Sequence, residues 1–277
     1  MIHSGFSRSV LVVALLSLNV SYGAPKESQL NITKDTLTGQ IVVSWSGKGV
    51  LKQPDAEGRL RPVRARGNSY VIEPTEAQTM FLLCNPVYSC NVVGYVNLDL
   101  PPGLSLIANP LYYTNNTVAF WWPDAPDGAQ VLKYLQASGD YEVSTFDARA
   151  GAWSNPQFDV EIGQGFFFRN TSTEIIRQTF VGEVLQGTLV NPLPAGASMK
   201  GSLIPIAGSI NTVQQIPGMD GDILKLWVND GQGGDYISSV FSSAEGGWVP
   251  DLALGIGQGF WIEKRQAQDW VRFFSAF

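Results

Sequence analysis

Ile162-Gly163-Gln164-Gly165-Phe166-Phe167 returns 94 residues later as Ile256-Gly257-Gln258-Gly259-Phe260-Trp261, and this recurrence decides how the rest of the chain is read. Glycine takes backbone conformations that other residues resist, so Gly-x-Gly ahead of an apolar run predicts a tight bend feeding a buried strand. Working outward, Trp153 and Trp248 precede the two motifs, and Tyr141 corresponds to Tyr236. Asp127-Gly128 before Val131-Leu132-Lys133-Tyr134 returns as Asp220-Gly221 before Ile223-Leu224-Lys225-Leu226-Trp227. Leu100-Pro101-Pro102-Gly103 returns as Leu193-Pro194-Ala195-Gly196, and Val93-Gly94-Tyr95-Val96 is echoed by Val181-Gly182-Glu183-Val184. Landmarks in one order at offsets of 88 to 95 residues predict a duplicated unit, with repeats at 93–180 and 181–277. Gly163, Gly165, Gly257 and Gly259 are then structural, and Trp153 and Trp248 are core pins.

Within each repeat, short apolar segments alternate with Pro, Gly, Asn and Asp turns, and no 3.6-residue periodicity is sustained. With 29 Gly, 16 Pro, 11% aromatic and 15% charged residues, the composition suits a turn-rich β-protein. The expected fold is all-β: a small N-terminal β-unit over 24–92, then two homologous sandwich-like or open-barrel repeats. In the N-terminal part, Gln40-Ile41-Val42-Val43-Ser44-Trp45, then Gly47-Lys48-Gly49, then Val50-Leu51 reads as a hairpin, with further strands at Ser69 to Ile72 and Met80 to Leu83.

The two Gly-Gln-Gly-Phe cores, Leu106-Ile107-Ala108-Asn109-Pro110, and the tryptophan elements at Trp153 to Pro156 and at Trp248 resemble exported, functionally uncharacterised β-proteins of environmental bacteria that carry this unit in pairs. Trp248-Val249-Pro250 departs from the Trp-x-x-Pro spacing of Trp153 to Pro156. The resemblance covers roughly residues 93–265. Val43-Ser44-Trp45 with Val50-Leu51-Lys52-Gln53 is similar to the closing β-motif of bacterial surface proteins. The resemblance implies an extracellular or periplasmic surface role and brings no catalytic residues with it.

Residues 1–23 carry Arg8, an apolar run from Val10 to Leu18, and small residues at Ser21 and Gly23, the pattern of a cleaved signal peptide. The run is too short to span a bilayer core of about 30 Å, so the chain is not expected to span a membrane after cleavage. Cleavage after Gly23 removes Arg8 and no acid, leaving 17 basic against 24 acidic side chains, a net charge of −7. With no basic stripe, nucleic acid is not an expected partner. The only histidine, His3, leaves with the leader, which excludes His-dependent triads and His metal sites. Cys84 and Cys90, with five residues between them in an exported chain, are expected to form a structural disulfide, since the spacing fits neither zinc nor redox motifs.

Trp121-Trp122 is the most suggestive candidate site. Neighbours on a strand point to opposite faces, so one indole is expected at the surface. With Tyr112-Tyr113 it would form an aromatic platform on which sugar rings stack, Asn115 and Asn116 supplying hydrogen bonds. The packing alternative places one indole in the first repeat's core and the other over its edge. Asn229-Asp230-Gly231-Gln232-Gly233-Gly234-Asp235 lacks the ligand spacing of a calcium loop and reads as a glycine-rich turn, with calcium at Asp230 and Asp235 left open and no metal or cofactor expected. Asp124, Asp127, Asp220 and Asp222 are the nearest carboxylates to a glycosidase pair, but all sit in turns, where Asp is favoured for local backbone bonding. The tail Trp270 to Phe277 reads as a last packed strand, because Ser275 breaks the alternation of a membrane-barrel strand. The expected function is a secreted, periplasmic or cell-surface structural or interaction protein without enzymatic activity, its partners extracellular polysaccharide or cell-surface proteins. The alternative is a carbohydrate-binding module at Trp121/Trp122, with a hydrolase third.

Overall fold

The computed structural model describes residues 29–276 apart from 86, 89–90 and 230–232, so the leader expected at 1–23 lies outside the described residues. The described residues are all-β, 53% strand with one short helix among them, in several antiparallel sheets, none of which closes into a barrel.

The first strands are β1 (Leu30–Lys34), β2 (Ile41–Trp45), β3 (Val50–Pro54), β4 (Leu60–Pro62), β5 (Ser69–Ile72), β6 (Gln78–Asn85) and β7 (Val87–Tyr88). β1, β2 and β5 form one antiparallel sheet in the order β1-β2-β5. Period-2 alternation places β2: Ile41, Val43 and Trp45 are buried while Val42 and Ser44 are half-buried. The hairpin expected between β2 and β3 does not form, because β3 pairs with β4 and β6 in a different sheet. The segment after Trp45 therefore carries the chain from one sheet to the other. Gly47 turns it at φ +80°, and at Gly49 a Cβ would stand 2.7 Å from the Leu83 side chain. Leu51 and Leu83 are cross-strand partners and both buried.

Next come β8 (Val93–Leu100), β9 (Gly103–Ala108), α1 (Val118–Trp121), β10 (Gln130–Leu135), β11 (Asp140–Asp147), β12 (Ala152–Trp153), β13 (Gly165–Asn170) and β14 (Ile176–Glu183). β8 takes β14 on one edge and β6 on the other, giving a six-stranded sheet in the order β14-β8-β6-β3-β4, with β7 also paired to β6. The N-terminal strands thus share a sheet and a core with β8 and β14, and residue 92 lies inside a continuous packing unit rather than at a junction between two. Val93–Val96 and the echo at Val181–Val184 are neighbours in this sheet, with Gly94 opposite Gly182.

The last third contains β15 (Gly187–Leu193), β16 (Gly196–Gly201), β17 (Gly208–Ser209), β18 (Ile223–Val228), β19 (Asp235–Ser242), β20 (Gly247–Val249), β21 (Ala253–Leu254), β22 (Gly259–Lys264) and β23 (Gln268–Phe274). Two five-stranded sheets stand in the orders β12-β11-β10-β13-β9 and β20-β19-β18-β22-β16. β8 pairs antiparallel with β14, and β15 with β23. Leu193, Leu224, Trp248, Phe260, Ile262 and Trp270 form a core belonging to the second set, while Val131, Phe146, Trp153, Phe166 and Phe168 lie in the first. The second core also holds an ion pair of Lys264 and Asp222, both side chains fully buried. Asp222 Oδ1 also accepts from the Arg265 amide at 2.7 Å, which satisfies part of the buried charge.

The two five-stranded sheets meet through the Gly-Gln-Gly turns. Ala108 N–H donates to Gly257 C=O at 2.8 Å, and Gly201 N–H donates to Gly163 C=O at 3.1 Å. Ile107 bridges Gln258, and Lys200 bridges Gln164. Asn229 Nδ2 donates to Pro102 C=O at 2.9 Å, and Gln136 Nε2 to Ala195 C=O at 2.5 Å. These three kinds of contact made by one sheet are thus answered by the other with the roles exchanged. Between them lie Leu106, Phe167 and Met199, flanked by Tyr134 on Trp261 at 4.7 Å and Phe167 on Trp227 at 5.6 Å. Such ring pairs contribute about 0.5–1.5 kcal/mol each beyond the area they bury.

Glycine is required here for approach. A Cβ on Gly165 would lie 2.8 Å from the Lys200 carbonyl oxygen, and one on Gly259 2.8 Å from that of Ile107. Gly165→Ala is expected to lower the unfolding free energy by about 1–3 kcal/mol in urea titration, because backbone rather than a flexible side chain must move. An unchanged midpoint would mean that the sheets do not meet this closely.

Candidate functional site

The Trp121-Trp122 pair lies on one helical turn rather than on a strand. Trp122 N–H donates to Val118 C=O at 2.9 Å and closes the turn. Successive side chains on a helix diverge by about 100°, not 180°, so both indoles can enter one core. Both do: Trp121 is 3% and Trp122 2% exposed. Trp122 stacks on Phe168 at 4.9 Å, and Trp121 meets Phe180 edge-on at 4.9 Å. The expectation of a surface indole is corrected, since the two-residue period behind it belongs to strands and this segment is helical.

Tyr112 remains 45% exposed, and its backbone pairs with Glu183. Tyr113 stacks on Phe120 at 5.0 Å. The amides expected to face a sugar hold the turn instead: Asn115 Oδ1 accepts from the Thr117 hydroxyl at 2.9 Å, and Asn116 Nδ2 donates to Tyr113 C=O at 2.9 Å. A cavity of about 430 Å³ beside the two tyrosines is lined also by Asn31, Asn91 and Glu183. Burial holds the Glu183 carboxyl above its usual range.

Trp153 and Trp248 occupy matching places. Trp153 Nε1 donates to Trp122 C=O at 2.7 Å, and Trp248 Nε1 to Ile216 C=O at 2.8 Å. Cys84 is a free thiol in β6, so the expected disulfide is not formed. The strand register sets Cys84 opposite Tyr88 rather than residue 90, and Cys90 itself lies outside the described residues. Asp230 also lies outside them, while Asp235 Oδ1 accepts from its neighbour Tyr236 N–H at 2.7 Å. Among the described residues no group of three His, Cys, Asp or Glu could hold a metal ion, and no helix is long and apolar enough to cross a membrane. Of the turn carboxylates, Asp127 caps Ala148 N–H at 3.0 Å and Asp220 caps the Ser243 hydroxyl at 2.7 Å, while Asp222 is the buried partner of Lys264.

One cluster is absent from the sequence expectations. Lys133 Nζ lies 3.4 Å from Glu142, 3.3 Å from the Asp159 carbonyl oxygen, and 4.8 Å over the Phe158 ring. Burial and then the adjacent Glu161 hold the Asp159 carboxyl above its usual range. The same places relative to β18, β19 and the second Gly-Gln-Gly turn carry Leu226, Ile237, Ala253 and Gly255, so the fold does not need the charges. A difference between the two halves, invisible when only their shared residues are sought, is the signal that finds this cluster.

A second concavity, about 380 Å³, lies where the sheets meet and is lined by Asn97, Asp99, Ser105, Trp227, Asn229 and Gln258. Asn97, Asp99, Trp227, Asn229 and Gln258 already serve the fold. Arg177 holds Asp99 by two bonds of 2.7 and 3.0 Å and keeps its carboxyl below the usual range, while Asn97 Nδ2 donates to the Pro74 and Glu76 carbonyls at 2.7 Å. No protein-family model matches the chain, and no curated protein matches it at a significant level.

Trp122→Ala should cost about 3–5 kcal/mol in denaturant titration, whereas Tyr112→Ala should stay within about 0.5 kcal/mol; equal effects would contradict the burial assigned to Trp122. For Asp159, a folded-state pKa above the unfolded value favours the protonated form, so its contribution to stability declines as pH rises through the carboxylate range. The stability of Asp159→Asn relative to the parent should therefore be greater at pH 7 than at pH 3, and the opposite trend in paired melts would reverse the assignment.

Proposed function

We propose that this chain is an exported, non-enzymatic structural or interaction protein of the extracellular, periplasmic or cell-surface space, built from two copies of one β-unit. The copies run from β8 to β14 and from β15 to β23, with the boundary between Glu183 and Gly187. The matched orders of the two five-stranded sheets support the duplication, as do β8 on β14 and β15 on β23. This division assigns Val181-Gly182 to the end of the first copy and makes β15 the counterpart of β8.

The observation that carries the functional reading is where the shared residues are used. Gly163, Gly165, Gly257 and Gly259 join the copies, and Trp153 and Trp248 anchor their cores. What is common to both copies thus serves assembly of a rigid body. Export is supported by the leader pattern around Arg8 and Val10 to Leu18, and it fits a chain whose partners are other macromolecules at the cell exterior.

A glycan array together with pull-downs on insoluble polysaccharides tests the reading. Blank results are expected, because Trp121 and Trp122 are committed to the core. Saturable binding abolished by Tyr112→Ala would replace this reading with a carbohydrate-binding one.

A further inference from the structure

The edge of β8 is covered, and among the described residues no strand covers the corresponding edge of β15. On β8, β6 adds an antiparallel strand with Thr79 opposite Tyr95, Met80 opposite Gly94 and Phe81 opposite Val93, and Asn97 N–H donates to Ala77 C=O at 2.8 Å. β15 pairs with β23 alone among the described residues. Each of the two strands ends at Leu-Pro-x-Gly, so Thr188 stands where Tyr95 does and Val190 where Asn97 does. The outward face of the β15–β23 ribbon also carries an apolar patch, bounded at one end by Asp269: Val190 is 49%, Val271 52% and Phe273 76% exposed, with Val190 opposite Val271 and Thr188 opposite Phe273. An exposed apolar strand edge of this kind is a template for another strand.

From the β15 edge we infer that the chain forms a homodimer, β15 of one copy pairing antiparallel with β15 of a second about a two-fold axis at Thr188. The inference rests on the equivalence of β8 and β15 proposed above. The strand that fills the β8 edge presents Thr79-Met80-Phe81, and β15 presents Thr188-Leu189-Val190, a hydroxyl followed by two apolar residues in both. A second β15 is therefore chemically like the strand this edge takes in the other half. The β6–β8 register, carried over, sets Thr188 opposite the partner's Thr188, and a two-fold axis satisfies both copies at once. Val190 N–H, on the edge where Asn97 N–H bonds Ala77, then reaches the partner's Gln186 carbonyl. Pro192 lacks the N–H that pairing beyond this point would need, and its counterpart Asp99 likewise lies outside the β6 pairing. The result is a continuous sheet β23-β15-β15-β23 that gathers Val190, Val271 and Phe273 of both copies on one face.

Sedimentation of the chain, expressed with its own leader, tests this. A dimer is expected below about 100 µM, with Thr188→Lys weakening it by at least about tenfold, because like charges then stand opposite each other on the axis. Thr188 is exposed, so at dilutions where both proteins are monomeric the melting temperature of Thr188→Lys should match the parent, which separates lost association from lost fold. In a background with Cys84 and Cys90 changed to Ser, Thr188→Cys should cross-link spontaneously into a disulfide dimer, since Cα atoms of a hydrogen-bonded antiparallel pair lie about 5.5 Å apart. Leu37→Cys, 95% exposed and away from the edge, should not. A monomer at about 100 µM, a dimer indifferent to Thr188→Lys, or a Thr188→Cys chain that stays uncross-linked would each overturn the inference. A monomer that is also blank on glycans removes the dimer while leaving the proposed function standing.

Discussion

The backbone approach of each Gly-Gln-Gly turn to the opposite sheet is the contact on which the arrangement of the two five-stranded sheets depends. Gly163 and Gly257 offer carbonyls to Gly201 and Ala108, and Gly165 and Gly259 let the Lys200 and Ile107 backbones come within a distance that no Cβ would allow. Two main-chain bonds contribute little net free energy alone, about 1 kcal/mol each. Their effect lies in geometry. Once the backbones are this close, Leu106, Phe167 and Met199 fill the space between the sheets, and Tyr134 and Trp227 each rest on an aromatic ring of the other side.

The N-terminal strands are integrated by the opposite strategy, adding hydrogen bonds rather than stacking faces. β6 joins β8 by register, so Phe81 and Leu83 enter the same core as Val93, Tyr95, Trp121 and Phe180. Asn97 ties this junction by donating to the Pro74 and Glu76 carbonyls and accepting from the Thr179 hydroxyl at 2.6 Å. The two halves consequently differ in surroundings although their sheets share an order: one is flanked by β6, and the other carries a two-stranded ribbon with an apolar outer face. Charge follows the same division, with Lys133, Glu142 and Asp159 gathered on the first half where Leu226, Ile237 and Ala253 stand on the second.

By itself the sequence determined the all-β class and the strands at Ser69 to Ile72 and Met80 to Leu83, because alternation and turn chemistry act over a few residues and need no partner. Tertiary structure decided the rest. The glycines of Gly-Gln-Gly were legible as bends, but their role in joining two sheets depends on a backbone far away in the chain. Trp121-Trp122 read as a strand because four residues of helix carry too little periodicity to announce themselves, and only the core around Phe168 and Phe180 settles that both indoles are inside. The run from Trp45 to Val50 read as a hairpin because local turn chemistry cannot say whether two strands will bond to each other or to different sheets. That choice belongs to β5 and β6, which arrive later in the chain and take β2 and β3 as separate partners.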